Sequence, residues 1–165
     1  MTNIPDSHPR KSSLLSRQKI VDGAKRGLLA DSAMIAHGRG EAYDYLLGER
    51  TTSSASIAIR EAAARLLRAV SPVISMNGNS TVLAGAEAIK IAAIVGCPIE
   101  VNIYYRTEER MTRLVNELES MREELLASSP QAERDAISRV EILGWFLMGK
   151  FEDLRDPDPC AQQMG

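Results

Sequence analysis

The stretch that most narrows the fold lies between Pro72 and Tyr104. Pro72 closes a helical pattern, and Val73-Ile74-Ser75-Met76 reads as a short buried strand. Asn77-Gly78-Asn79-Ser80 follows as a tight polar turn, and Ala84 to Val95 has the pattern of a helix stopped by Gly96. Ile99 to Tyr104 reads as a second strand. This spacing implies a parallel pair joined by a right-handed crossover. The expected fold class is α/β, with N-terminal helices packed on a small, mostly parallel sheet. Ligands of open α/β sheets collect beyond the carboxyl ends of the strands. Asn77 and Arg106 fall at such ends, so position makes them substrate-binding candidates. The turn before the helix is also a common phosphate site, because free N–H groups and the helix dipole point outward there. No glycine-rich nucleotide fingerprint supports that reading, and a plain Asn-Gly connection fits equally well.

The flanking chain supplies the helices. Ser12 or Ser13 can cap one that runs to about Gly27, with Leu14, Val21, Ala24 and Leu28 as its apolar stripe. Arg17 sits beside that stripe, able to reach a site or water. Ser54 to Val70 repeats apolar residues at helical spacing, and its alanines imply close packing against a helix or sheet. Thr107 caps a long amphipathic helix whose stripe is Met111, Leu114, Val115, Leu118, Met121 and Leu125. Ser128 to Gln131 break it, and Arg139 to Leu143 can form a third strand. Residues 1–144 thus read as one α/β domain and 145–165 as an irregular acidic tail around Trp145, Phe146 and Phe151.

The chemistry is concentrated between Ile35 and Gly48. This stretch holds His37, Arg39, Glu41 and Asp44, two tyrosines, and glycines on either side of the arginine. As a helix it loses about 1 kcal/mol at each of Gly38 and Gly40 relative to alanine. Such glycines suit close approach of a backbone or ligand, with Arg39 as an anion partner. A loop or junction with a solvated arginine is the alternative. His37 and Glu41 are at i,i+4 and Glu41 and Asp44 at i,i+3, so all three can share a helix face. That permits acid–base work or an ordinary surface pair. His37 lies outside any His-Glu-x-x-His motif, so no metal site is expected.

Composition excludes several classes. The chain has 165 residues, 44% hydrophobic and 25% charged, with a net charge of -2. Such a balance gives no general attraction to nucleic acid or to an anionic membrane. Cys97 and Cys160 make neither a disulfide framework nor a zinc spacing, and a cytoplasmic setting is expected.

Several segments taken together resemble the archaeal phosphopantothenate synthetase (4-phosphopantoate–β-alanine ligase) family. They are Ile4-Pro5 with Ser7-His8-Pro9-Arg10, Ser13-Leu14 with Arg17, and the run from Met34 to Glu49. Pro72-Val73-Ile74-Ser75 with Asn77-Gly78-Asn79 follows, then Ile99-Glu100-Val101-Asn102, then Arg106 with Glu108-Glu109-Arg110. The resemblance covers roughly residues 4–115 in the family's order and implies a Rossmann-like sheet. It implies a cytoplasmic homodimer that uses ATP and Mg²⁺ to join 4-phosphopantoate to β-alanine. The acid is first activated as an acyl-adenylate with release of pyrophosphate, and the amine then displaces AMP. Arginines suit the phosphates gathered in that reaction. The resemblance places nucleotide contacts on Arg17 and Arg39. By position His37 becomes the catalytic candidate, donating to a phosphate oxygen, and Glu41 or Asp44 orients Arg39 or helps to place Mg²⁺. Two later family motifs, Asp-Gly-Asp-Arg-Thr-Glu-Ala-Leu and Asp-Leu-Asn-Pro-Leu-Ser-Arg, do not occur here. A truncated sheet, or a non-catalytic remnant that binds a phosphorylated ligand or dimerises, is the alternative expectation.

Overall fold

The computed structural model describes residues 4–104 and 106–144. The tail expected at 145–165, with its aromatic residues, lies outside them. The elements in order are α1 (Lys11–Lys25), α2 (Ala33–Leu46), α3 (Ser53–Arg68), β1 (Ile74–Met76), α4 (Gly78–Val95), β2 (Ile99–Val101), α5 (Glu108–Ser128), α6 (Gln131–Ser138) and β3 (Ile142–Leu143). The sheet runs β1-β2-β3 and both pairings are parallel, with Ile74 opposite Ile99 and Ile99 opposite Ile142. The fold is the expected α/β class.

Side-chain alternation decides which side of the sheet is dry. Met76, Ile99, Val101 and Ile142 are buried in one core with Ile89 of α4 and Leu114 and Leu118 of α5. Their neighbours Ser75 and Glu100 point the other way and pair, the Ser75 hydroxyl donating to Glu100 at 3.4 Å. α1 packs on α4 through Ile20 and Gly23, which are both buried. The stripe expected on α1 is therefore shifted, and Ala24 is exposed. At Gly23 an added Cβ would lie 2.8 Å from Val82 Cγ2, which is how closely the two helices meet.

Other boundaries move for identifiable reasons. α4 begins at Gly78, six residues before the expected Ala84, because the polar turn is its first turn. Asn77 Oδ1 accepts from the Ser80 N–H at 3.0 Å and the Ser80 hydroxyl accepts from the Asn77 N–H at 2.8 Å, a reciprocal cap. Ala84 is the kink inside this helix, at φ -143 and ψ 22. The expected third strand shrinks to Ile142–Leu143, and α6 occupies residues read only as a break and a polar stretch. Pro130, with φ -57 and ψ 149, separates α5 from α6.

The expectation that α3 packs closely on a helix or sheet is not met. No α3 residue is buried, and Ile57, Ile59 and Leu67 are each at least 60% exposed. Its alanines supply helix propensity rather than a packed seam. No described helix is long and apolar enough to cross a membrane.

Candidate functional site

The stretch from Ile35 to Gly48 is helix α2 and its end. The Leu47 N–H bonds back to Tyr43 and Asp44, and Gly48 takes φ 81, as a helix-ending glycine should. With 3.6 residues per turn, the helix divides into two faces. Ala36, His37, Gly40, Glu41 and Asp44 face inward, where they join Ser13 and Ser16 of α1 around a cavity of about 430 Å³. Ile35, Arg39, Tyr43 and Leu46 are exposed on the outward side. Arg39 is two residues from both His37 and Glu41, about 200° around the helix from each.

Glu41 organises the inward face. Its carboxylate accepts from the Ser13 hydroxyl and pairs with the Arg10 guanidinium. Arg17 Nη1 stands 4.0 Å from its second oxygen. The Arg10 Nη2 also donates to Ser13 Oγ at 3.2 Å. The Ser13 hydrogen bond, then Arg10, His37 and Arg17, hold the Glu41 carboxyl below its ordinary range, against a partly opposing effect of burial. Ser13 was a candidate cap for α1. It does not cap it, because the helix begins at Lys11 with Arg10 at the cap, and Ser13 lies inside the first turn with its hydroxyl donating to Glu41.

His37 Nε2 is shielded from solvent and has no hydrogen-bond partner among the described residues. A buried imidazole nitrogen left without a partner is uncommon, and a rotation of the ring would bring it to the adjoining cavity, which His37 lines.

A second cavity, of about 410 Å³, opens beyond the carboxyl ends of β1 and β2. Asn77, Gly78, Ile103 and Arg110 line it together with Ser32 and Ala33. Asn77 is therefore both the cap of α4 and a wall of this space. Gly78 is required by close approach, since an added Cβ would lie 2.8 Å from the Leu28 carbonyl oxygen. Arg106 lines neither cavity. Its Nε donates to the Ile103 carbonyl at 3.0 Å and its Nη2 to Asn102 Oδ1 at 3.2 Å, bracing the chain that leaves β2. The two cavities share Ala36 and Asn79, and Asn79 Nδ2 donates to the Ala33 carbonyl at 3.2 Å. The wall between them is thus the junction of α2 with α4.

The structure places His37 and Glu41 on one cavity, with Arg17 4.0 Å from Glu41 but outside the cavity's lining, and leaves Arg39 exposed on the other side of α2. The expectation from sequence was that Glu41 or Asp44 orients Arg39 or helps to place Mg²⁺. The intervening backbone turn overrules the pairing of Glu41 with Arg39, and the partners are Arg10 and Arg17. Arg10 was missed as a site residue. The available signal was the i, i+3, i+7 row of Arg10, Ser13 and Arg17, which places all three on one helix face. Among the described residues no three His, Cys, Asp or Glu side chains come together as a metal site.

The fold and site define a class: an α/β protein whose small parallel sheet carries a cleft with basic residues and a helix N-terminus at its carboxyl edge. Within that class, a sequence model of the phosphopantothenate/pantothenate synthetase family matches residues 54–141, from α3 through α6. The chain belongs to that family. It is 50% identical over 118 residues to a 4-phosphopantoate–beta-alanine ligase of Thermococcus kodakarensis, covering 72% of this chain and 45% of the relative. It is 47% identical over 133 residues to the enzyme of that name from Methanosarcina mazei, covering 80% and 53%. The enzyme of that name from Methanospirillum hungatei is 49% identical over 108 residues. The chain spans about half the length of the curated relatives it matches.

Proposed function

We propose that the chain serves, in the cytoplasm, an ATP-dependent amide-forming ligation that condenses 4-phosphopantoate with β-alanine in coenzyme A biosynthesis. The products are 4'-phosphopantothenate, AMP and pyrophosphate. The observation that carries this reading is the cavity of His37 and Glu41, with Arg17 beside it, in a member of this family. Arg17 is half exposed, so its fork keeps donors for phosphate oxygens. His37 lines the same cavity. Asn77 lines the second cavity and Arg106 braces its Ile103 wall, which suits that space to the acid substrate. ATP would bring Mg²⁺ on its phosphates, and phosphoanhydride cleavage would supply the driving force for the amide bond. The test is AMP release with ATP, Mg²⁺, 4-phosphopantoate and β-alanine. Folded chain that releases no AMP above an enzyme-free blank refutes activity.

A second reading rests on the retained arginines, Arg17 beside Glu41 and Arg39 on α2. In it the chain is a non-catalytic member that still binds a phosphorylated ligand or dimerises. Calorimetry with ATP and with 4-phosphopantoate separates the two readings, and failure of both to bind excludes retained ligand binding. A homodimer belongs to either reading. It is supported by the large apolar side chains exposed on α2 and on α3, among them Ile35 and Leu46 on the one and Ile57 and Leu67 on the other. Light scattering that returns only the monomer mass at high concentration would refute it.

A further inference from the structure

We infer that Glu41 is a positioning residue that gathers Arg10 and Arg17 into one seat for a phosphoryl group, and that Arg10 is a binding residue of that seat. The inference rests on the phosphoryl-ligand reading above and names residues that carry it.

Three observations support it. The first is the row Arg10, Ser13, Arg17 at one side of α1, which meets the Glu41 carboxylate of α2. Arg10 and Ser13 share Oε1, while Arg17 approaches Oε2. The second is the order of burial. The Glu41 side chain is 17% exposed, whereas Arg10 and Arg17 are 44% and 50% exposed. The carboxylate thus sits inside and holds the forks from behind, and the remaining guanidinium N–H groups face outward. The third is charge. Two guanidinium groups meet the one carboxylate of Glu41, and a guanidinium has five N–H donors, so donors and a local positive surplus are left at that carboxylate, while Asp44 and Glu49 also line the adjoining cavity. α1 begins here with no acidic residue in its first turn, so its dipole reinforces rather than cancels the surplus. The same cavity holds His37 with its unpartnered Nε2. Ser13 and Glu41, which hold the two arginines, line that cavity, so the seat adjoins it.

Glu41 has a different role if it competes with the ligand for the arginines. Removing its charge would then tighten binding. A holding role predicts the opposite sign, because released arginines spread into water and must be re-ordered.

The phosphoryl group can come from the nucleotide or from 4-phosphopantoate, so both are titrated. Calorimetry on the full chain uses ATP with Mg²⁺ in one arm and 4-phosphopantoate in the other. Arg10→Gln should weaken whichever ligand uses the seat by at least about tenfold, with Arg10→Lys recovering part of the loss. Glu41→Gln should weaken the same ligand, and Glu41→Asp, which keeps the charge, should recover most of it. In the doubly substituted chain the two losses should be less than additive, since Glu41 acts through Arg10 and Arg17. Arg10 is exposed and outside the core, so its variants fold even if a Glu41 variant does not. Wild-type binding with both substitutions within twofold of it overturns the seat and leaves the functional reading standing. Tighter binding by Glu41→Gln overturns the holding role. A wild type that binds neither ligand overturns both this inference and the reading it rests on.

Discussion

Gly38 and Gly40 provide a measurement in which stability and association part company. Both lie inside α2 with ordinary helical φ, and an added Cβ at either would meet nothing within 4 Å. Each Gly→Ala replacement should therefore stabilise the fold by about 0.5–1 kcal/mol, from helix propensity and reduced freedom of the unfolded chain. The two together should contribute about 1–2 kcal/mol, or roughly 3–6 °C in melting temperature for a domain of this size. Denaturant unfolding should show a raised midpoint with an unchanged slope. The two sites then differ in what they reach. Gly40 lines the cavity of His37 and Glu41, so Gly40→Ala should lower ligand affinity. Gly38 adjoins Arg39 on the outward side, so Gly38→Ala should weaken self-association and leave ligand affinity alone. If neither substitution stabilises the fold, the open space around these glycines is not real. If both stabilise it without loss of affinity or association, no ligand or partner approaches there, and the two-faced reading of α2 is wrong.

Three further outcomes follow from other parts of the structure. Gly78→Ala should destabilise by about 1–3 kcal/mol, because the new methyl meets the backbone oxygen of Leu28 at 2.8 Å and that oxygen cannot rotate away; an unchanged denaturation midpoint would contradict it. Cys97 is buried and burial raises its thiol pKa, so in a Cys160→Ser chain an aromatic disulfide reagent at pH 8 should react only on unfolding; rapid labelling of native protein would refute this. The Ser13 hydrogen bond, then Arg10, His37 and Arg17, hold the folded-state pKa of Glu41 below the ordinary carboxylate range, so its contribution to stability is present above that range and is lost as pH falls through the lower folded value. Unfolding midpoints of wild type and Glu41→Gln should accordingly converge in acid, and a constant gap down to pH 3 would refute the assignment.

The βαβ core was legible because its signals are local. A buried strand, an Asn-Gly cap and a Gly stop each specify their own geometry, and the parallel pairing follows from their spacing. The start of α4 was misplaced because Asn77 and Ser80 suit a turn and a helix cap equally, and only the reciprocal hydrogen bonds choose. α6 was not read because eight residues carrying one buried side chain, Ile137, give too short a period to detect. The solitude of α3 was illegible for a different reason. Its apolar spacing is that of a packed helix, and sequence cannot say whether the partner belongs to the same chain.

The pairing of Glu41 makes the same point about the site and alters the meaning of the two arginines that family resemblance joins. Charge and proximity in sequence favour Arg39, two residues away. Helical geometry turns Arg39 to the far side and brings in Arg10 and Arg17 from another helix, 31 and 24 positions earlier. Within the described residues no cavity is lined by both Arg17 and Arg39, so a single ligand on both would have to reach around α2. It can do so if further protein carries the pocket around the outward face, where Arg39 stands among exposed Ile35, Tyr43 and Leu46. The apolar surroundings favour protein over solvent as that cover. On the homodimer proposed above, α2 becomes a partition: its inner face binds through Glu41, and its outer face presents Arg39 to a second copy. Arg39→Ala should then reduce ligand affinity only under conditions where the chain self-associates, whereas Arg17→Ala should reduce it at every concentration. Equal losses from both variants in dilute monomer would refute the partition.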